Sequence, residues 1–283
     1  MITNKKYKVG SKKYRVMLET YSYAGGVVDD CKERRITDGC FTDESTDSFG
    51  DWDGVDSYEE ALDLMRNGYK PVVEQLKKEL KGVKGQGEEK RISFQNNLVG
   101  AVPIVPLAMM GVPNNMIDMK MKPIKCKVLD IYYDMTCSCG TDSKDIIENG
   151  RKLLSVIIKL EKQGYKFNLY AMQSYCGDND GDMLCVKIKS SSQPMDLKRM
   201  SFPLTHTAFF RVIGFDWYSK TPEGKYRSGY GRGLGYKFKK TECRELIQNM
   251  FGKNATYISG SRILDYGEEY IMEEIMYDKS KNR

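Results

Sequence analysis

The chain has 283 residues, 40% hydrophobic and 30% charged, which suits one large domain or a domain with a substantial appendage. No apolar run approaches the roughly 20 residues of a membrane span, and Met1-Ile-Thr-Asn-Lys-Lys lacks a signal-peptide apolar core, so a cytoplasmic location is expected. A formal charge of +6 permits nucleic-acid binding without indicating it, and eight cysteines beside a single histidine point to free thiols rather than disulfides or structural zinc.

Residues 1–90 read as a smaller N-terminal α+β arm. Residues 13–21 alternate enough to form a strand, and the Gly-, Asp-, Ser- and Thr-rich stretch up to residue 56 reads as loop. Ser57-Tyr-Glu-Glu60 is a capping box that opens an amphipathic helix ending at Gly68. A second helix is expected from Pro71 to about residue 81, and the charged, Gly-rich residues 82–90 make the best domain boundary.

Residues 91–283 then read as an α/β domain. The segment 91–123 is apolar but broken by Pro103, Pro106, Gly111 and Pro113, so it is expected to be extended, with turns, and docked on a core. Its methionines, Met109, Met110, Met116, Met119 and Met121, read as core filler in preference to a binding surface. From Lys127 the rhythm becomes strand, helix, strand. An apolar run ends at Asp134, an amphipathic helix follows from about Asp142 to Gly164, and residues 165–171 form a strand parallel to the first. Residues 183–189 are the next strand. Gly177-Asp178-Asn-Asp180-Gly181-Asp182 resembles half a calcium loop but lacks the closing Glu, so it reads as a polar turn. Further helices are expected over 194–200, 204–217, 241–251 and 268–277, with a short strand at 255–259.

Asp134-Met-Thr136-Cys-Ser138 stands where open α/β sheets place ligands, at the carboxyl end of a strand. Its Asp-x-[Ser/Thr]-x-Ser spacing resembles the metal-ion-dependent adhesion motif of von Willebrand factor A domains. That resemblance implies a mainly parallel sheet flanked by helices, with Asp134, Thr136 and Ser138 offering oxygens to Mg2+. The family's later ligands, a Thr and an Asp, would come from Thr205, Thr207 and Asp216, in a region that reads as helical.

A second resemblance covers more of the chain. Trp52-Asp-Gly-Val-Asp-Ser57-Tyr-Glu-Glu-Ala-Leu, followed by Asn67-Gly68-Tyr69, is similar to the start of a family of proteins from tailed bacteriophages and prophages. The segment 106–116 looks like that family's Leu-Ala-Gly-x-Pro-x-x-Met stretch. Phage origin is what this implies; no activity comes with it.

His206 excludes any mechanism needing two histidines and reads as a hydrogen-bonded structural residue. The loop 220–240 is basic and rich in Gly and Tyr. It offers the best nucleic-acid surface, with Arg227, Arg232 and Lys237 for phosphates and Tyr230 and Tyr236 for stacking on bases. No nucleotide loop, nucleophile pair or acid/base pair stands out. The leading expectation is therefore a non-enzymatic, phage-encoded protein that meets a protein partner, from the phage machinery or the host's defences, in the host cytoplasm. Nucleic-acid binding through 220–240 and a magnesium-dependent site at Asp134, gating binding or hydrolysis, are the alternatives.

Overall fold

A computed structural model describes residues 2–33, 50–80, 91–122, 128–221 and 231–281. Strands β1 (Ile2–Val9) and β2 (Lys12–Tyr21) form an antiparallel hairpin that turns at Gly10, where φ is +57°. Helix α1 (Gly25–Glu33) occupies part of the stretch expected to be loop. Its paired glycines hide it from the sequence, but Val27, Val28 and Cys31 lie on one helical face and are buried. Helix α2 (Tyr58–Asn67) starts at the N-cap Ser57, and of the expected capping box the Ser57 half is formed. The Ser57 hydroxyl accepts the Glu60 N–H at 3.1 Å, and Glu60 reaches back to the Asp56 N–H at 2.7 Å. Helix α3 (Lys70–Leu80) follows Gly68, and residues 82–90, the expected boundary, lie outside the described residues.

A separate three-stranded unit comes next: β3 (Arg91–Asn97), β4 (Val102–Pro103), the short helix α4 (Val105–Met109) and β5 (Met116–Lys122), in sheet order β3-β5-β4. Met109 and Met110 are 84% and 75% exposed, which corrects their assignment to the core.

The remaining elements are β6 (Val128–Asp134), α5 (Ser143–Lys162), β7 (Lys166–Cys176), β8 (Asp180–Lys189), α6 (Leu197–Thr205), a π-helical stretch (Phe209–Gly214), α7 (Phe215–Ser219), α8 (Leu234–Lys237), α9 (Lys240–Phe251), β9 (Ala255–Ser259) and α10 (Gly260–Lys281). The last helix begins earlier than expected and kinks at Gly267, whose φ is +64°. Among the described residues no helix is long and apolar enough to cross a membrane.

The main sheet has six strands in the order β1-β2-β8-β7-β6-β9, and helices flank it. It is mixed rather than mainly parallel. The pairs β2/β8, β6/β7 and β6/β9 are parallel, whereas β1/β2 and β7/β8 are antiparallel. The reason lies in the polar turn after Cys176. Only residues 177–179 separate β7 from β8, a connection too short for a parallel crossover. The first two strands complete this sheet, so a division at residue 90 does not separate an arm from it.

Alternation along β6 sends Leu129, Ile131 and Tyr133 to one face and Tyr132 to the other. On the first face lie α5 and α6; Leu153, Leu154 and Ile157 of α5 are fully buried, each worth roughly 1.5–3 kcal/mol. On the second lies α9, through Cys243, Leu246 and Ile247. Gly150 lets α5 and α6 meet, since a Cβ there would stand 2.1 Å from the Leu204 carbonyl oxygen.

Candidate functional site

The central strand β6 runs between β7 and β9 and delivers Asp134 to the carboxyl end of three parallel strands. The side chain is 1% exposed, and its oxygens are engaged by the chain itself. Oδ1 accepts the Thr136 N–H at 3.1 Å; Oδ2 accepts the Ser174 hydroxyl at 2.5 Å and the Tyr257 hydroxyl at 2.8 Å. The Thr136 hydroxyl oxygen accepts the Ser174 N–H at 2.9 Å, and Ser174 Oγ accepts the Leu234 N–H at 2.9 Å. Burial pushes the Asp134 carboxyl above its usual range, and the donors from Ser174, Thr136 and Tyr257 pull it back. The carboxylate thus ties β6, β7, β9 and the 231–237 segment together.

That segment explains its own alternating glycines. Its backbone lies directly on the strand ends: a Cβ on Gly233 would stand 2.8 Å from Thr136 Cβ, and one on Gly235 would stand 2.2 Å from Ser259 Oγ. Cys176 N–H donates to the Arg232 carbonyl at 2.8 Å, extending the end of β7 by one bond.

A magnesium ion needs several oxygens on a common open centre at about 2.0–2.1 Å. Here the two Asp134 oxygens face protein donors, Gly233 covers Thr136, and the Ser138 hydroxyl accepts the Gly140 N–H at 3.4 Å. The three residues of the motif do not fit the ion in this arrangement. The other ligand candidates are engaged elsewhere. Thr205 donates to the Ser201 carbonyl, Thr207 to the Ser143 carbonyl, and Asp216 pairs with Lys220 at 2.8 Å.

Beside this sealed centre lies an open cavity of about 380 Å3, lined by Ser138, Cys176, Asp178, Gly231, Arg232, Tyr236 and Lys237. It brings together Ser138 from the proposed metal motif and three of the proposed nucleic-acid residues. Arg227 and Tyr230 lie outside the described residues. The Tyr236 oxygen accepts the Ser138 N–H at 3.2 Å, while half of that residue stays exposed. Lys237 stands 3.3 Å from Asp178 in an exposed pair, and Arg232 is exposed at the rim.

The loop that carries Ser138 is clamped from below by a residue that sequence reasoning missed. Arg211 is 1% exposed within the π-helical stretch. Its guanidinium donates to the carbonyls of Trp52, Ser138 (3.4 Å) and Thr141, and lies 4.1 Å from the centre of the Trp52 ring. Trp52 Nε1 donates to the Cys139 carbonyl at 2.7 Å. The extra residue of a π turn re-aims a side chain, and such turns gather at functional sites. Asp53 is buried nearby. Burial raises its carboxyl to about 6 against the pull of Arg211. The one sequence signal for this clamp was an arginine inside an otherwise apolar helical run.

Several groups that could do chemistry lie under this surface, whereas the Cys139 thiol is exposed. His206 is 2% exposed, its Nδ1 accepts the Ala208 N–H at 3.2 Å, and burial lowers its pKa to about 4. Cys137, Cys176 and Cys243 are buried thiols pushed up to about 12, chiefly by desolvation. Among the described residues no group of three or more His, Cys, Asp or Glu side chains is placed to hold a metal.

No curated protein and no solved structure matches the chain. Residues 4–277 match the family described as a domain of unknown function, DUF7192, and with nearly its whole length covered the chain belongs to that family.

Proposed function

We propose that the chain is a non-enzymatic binding protein that holds a protein partner with the loops at the carboxyl end of its main sheet. The observation that carries this reading is the cavity walled by Ser138, Arg232, Tyr236 and Lys237. Its walls are fixed by the buried Arg211 and Asp134 networks, while the titratable groups beneath are sealed. A rigid scaffold presenting exposed loops suits recognition, because little ordering entropy is lost on binding. Arg232, with Lys237 beside it in its exposed pair with Asp178, and a half-exposed tyrosine suit an acidic side chain of the partner, and Arg and Tyr are residue types that dominate interface energetics. In this reading the β6–α5–β7 core is von Willebrand A-like, and Asp134 has the role of a structural hub. The resemblance to phage proteins supports a partner in the infected cell's cytoplasm, from either the phage machinery or the host's defences.

Affinity capture from infected cells, with wild type beside an Arg232→Glu/Lys237→Glu variant, tests the reading. A protein retained by wild type and lost from the folded variant supports it; identical partners for both would sink it. A second reading, nucleic-acid binding, draws on the presence of Arg232, Tyr236 and Lys237 in the lining of one cavity. Fluorescence anisotropy with labelled single-stranded DNA and RNA at low salt separates the two. Tight, salt-sensitive binding that the double variant abolishes would transfer the assignment to nucleic acid.

A further inference from the structure

The three-stranded unit of β3, β4, α4 and β5 carries a surface that a monomer rarely leaves open. Residues 92–117 contain no Asp, Glu, Lys or Arg, in a chain that is 30% charged. Phe94, Leu98, Val99, Val102, Val105, Met109 and Met110 are each more than half exposed, and Val99 reaches 79%. The strand register sorts this unit into two faces. Asn96 and Val102 both stand opposite Ile117, and Phe94 lies two residues before Asn96, so these four share a face. On the reverse face Gln95 and Asn97 both donate to Asp118, at 3.4 and 3.3 Å. Leu98 and Val99 crown the turn into β4, and Met109 and Met110 end α4. The turn is closely fitted, since a Cβ on Gly100 would stand 2.3 Å from the Ile117 carbonyl oxygen. The exposed apolar residues therefore sit on an ordered, hydrogen-bonded platform.

We propose that this uncharged face joins two copies of the chain into a dimer. Summed over the unit, the seven exposed apolar residues amount to roughly 800 Å2, on the order of the share that one partner contributes to a standard protein interface. Lone monomers seldom carry apolar patches above about 300–600 Å2. The absence of charge selects the occupant. A two-fold contact places a surface against its own copy, and a charged face would then oppose like charges; this one opposes none. An anionic membrane or a nucleic acid would find no cation on it. In addition, among the described residues β3 is an edge strand, whose outer backbone groups can pair with β3 of the second copy across the same axis.

The test is sedimentation velocity of the full chain across micromolar concentrations, with wild type beside Met109→Lys/Met110→Lys and a separate Val99→Lys variant. All three positions are exposed, so the substitutions leave the fold intact, and circular dichroism checks this. Wild type is expected to sediment as a dimer, and each variant to dissociate with an affinity on the order of a hundredfold weaker or more, as a buried unpaired charge requires. A wild type that stays monomeric throughout overturns the proposal, as does a dimer that survives both variants. The pocket at Arg232 takes no part in this contact. A monomeric wild type would leave the capture result untouched, and the Arg232→Glu/Lys237→Glu variant is expected to remain a dimer.

Discussion

Asp53 offers a measurement of the electrostatics under the 138–141 loop. The residue is 4% exposed, and burial raises the pKa of its carboxyl from the usual 3.8 to about 6, with Arg211 opposing the rise. A carboxyl whose folded-state pKa exceeds its unfolded value binds protons more readily in the native state. Below pH 4 both states are protonated and the group is neutral towards stability. As pH rises from about 4 to 6 the unfolded chain ionises first, and stability falls; above 6 the full penalty remains. The gap between 3.8 and about 6 corresponds to about 3 kcal/mol. Asp53→Asn keeps the shape and removes the titration. The difference in unfolding free energy, variant minus wild type, should therefore grow by up to about 3 kcal/mol between pH 4 and pH 7. Urea melts of both proteins at four or five pH values measure it, and the remaining carboxyls cancel in the difference. A difference that is flat with pH would refute the reasoning, and so would one that turns against the variant as pH rises.

Four further outcomes follow from the same geometry. Arg211→Met removes the donors to Trp52, Ser138 and Thr141; it should cost about 3–5 kcal/mol and raise hydrogen exchange over 138–141, whereas unchanged exchange would place the clamp elsewhere. Gly235→Ala should cost about 1–3 kcal/mol or more because its Cβ meets Ser259 Oγ at 2.2 Å, and a neutral effect in a melt would show that the loop lifts freely. Asp134→Ala leaves the Ser174 and Tyr257 hydroxyls without their acceptor and should cost more than Asp134→Asn; millimolar Mg2+ should leave the melting temperature of wild type unchanged, and a rise that the Ala variant lacks would return the motif to metal binding. Ser57→Ala should cost about 1 kcal/mol through loss of the helix cap, and thermal unfolding reads it directly.

Local signals proved legible in the sequence. Residues 13–21, the Ser57 cap and the β6–α5–β7 order fall where periodicity and capping chemistry put them, because each is decided within a few residues. What escaped depends on distant partners. β2 joins the main sheet through β8, more than 150 residues later in the chain, and no local pattern announces that pairing. The turn read over 177–182 is confined to 177–179, with 180–182 already in β8, and its consequence, an antiparallel β7/β8 pair and hence a mixed sheet, follows from connection length.

The same distinction governs the site. Asp134 reads as a metal ligand when only its own loop is considered, because Asp, Thr and Ser at alternate positions offer oxygens and the sequence does not show which distant groups engage them. Its partners Ser174 and Tyr257 arrive from two other strands, and Leu234 from the start of α8, inside the stretch read as a basic loop. Once they converge, the oxygens that could have held an ion hold the sheet's carboxyl end instead. The alternating glycines acquire a cause as well, since only a backbone without Cβ at 233 and 235 can lie so close to Thr136 and Ser259. Ser138 of the motif and Arg232, Tyr236 and Lys237 of the basic stretch, read separately as parts of a metal site and a nucleic-acid site, line one cavity. A carboxylate buried beneath that cavity is best understood as the fastening that keeps its cationic rim in place.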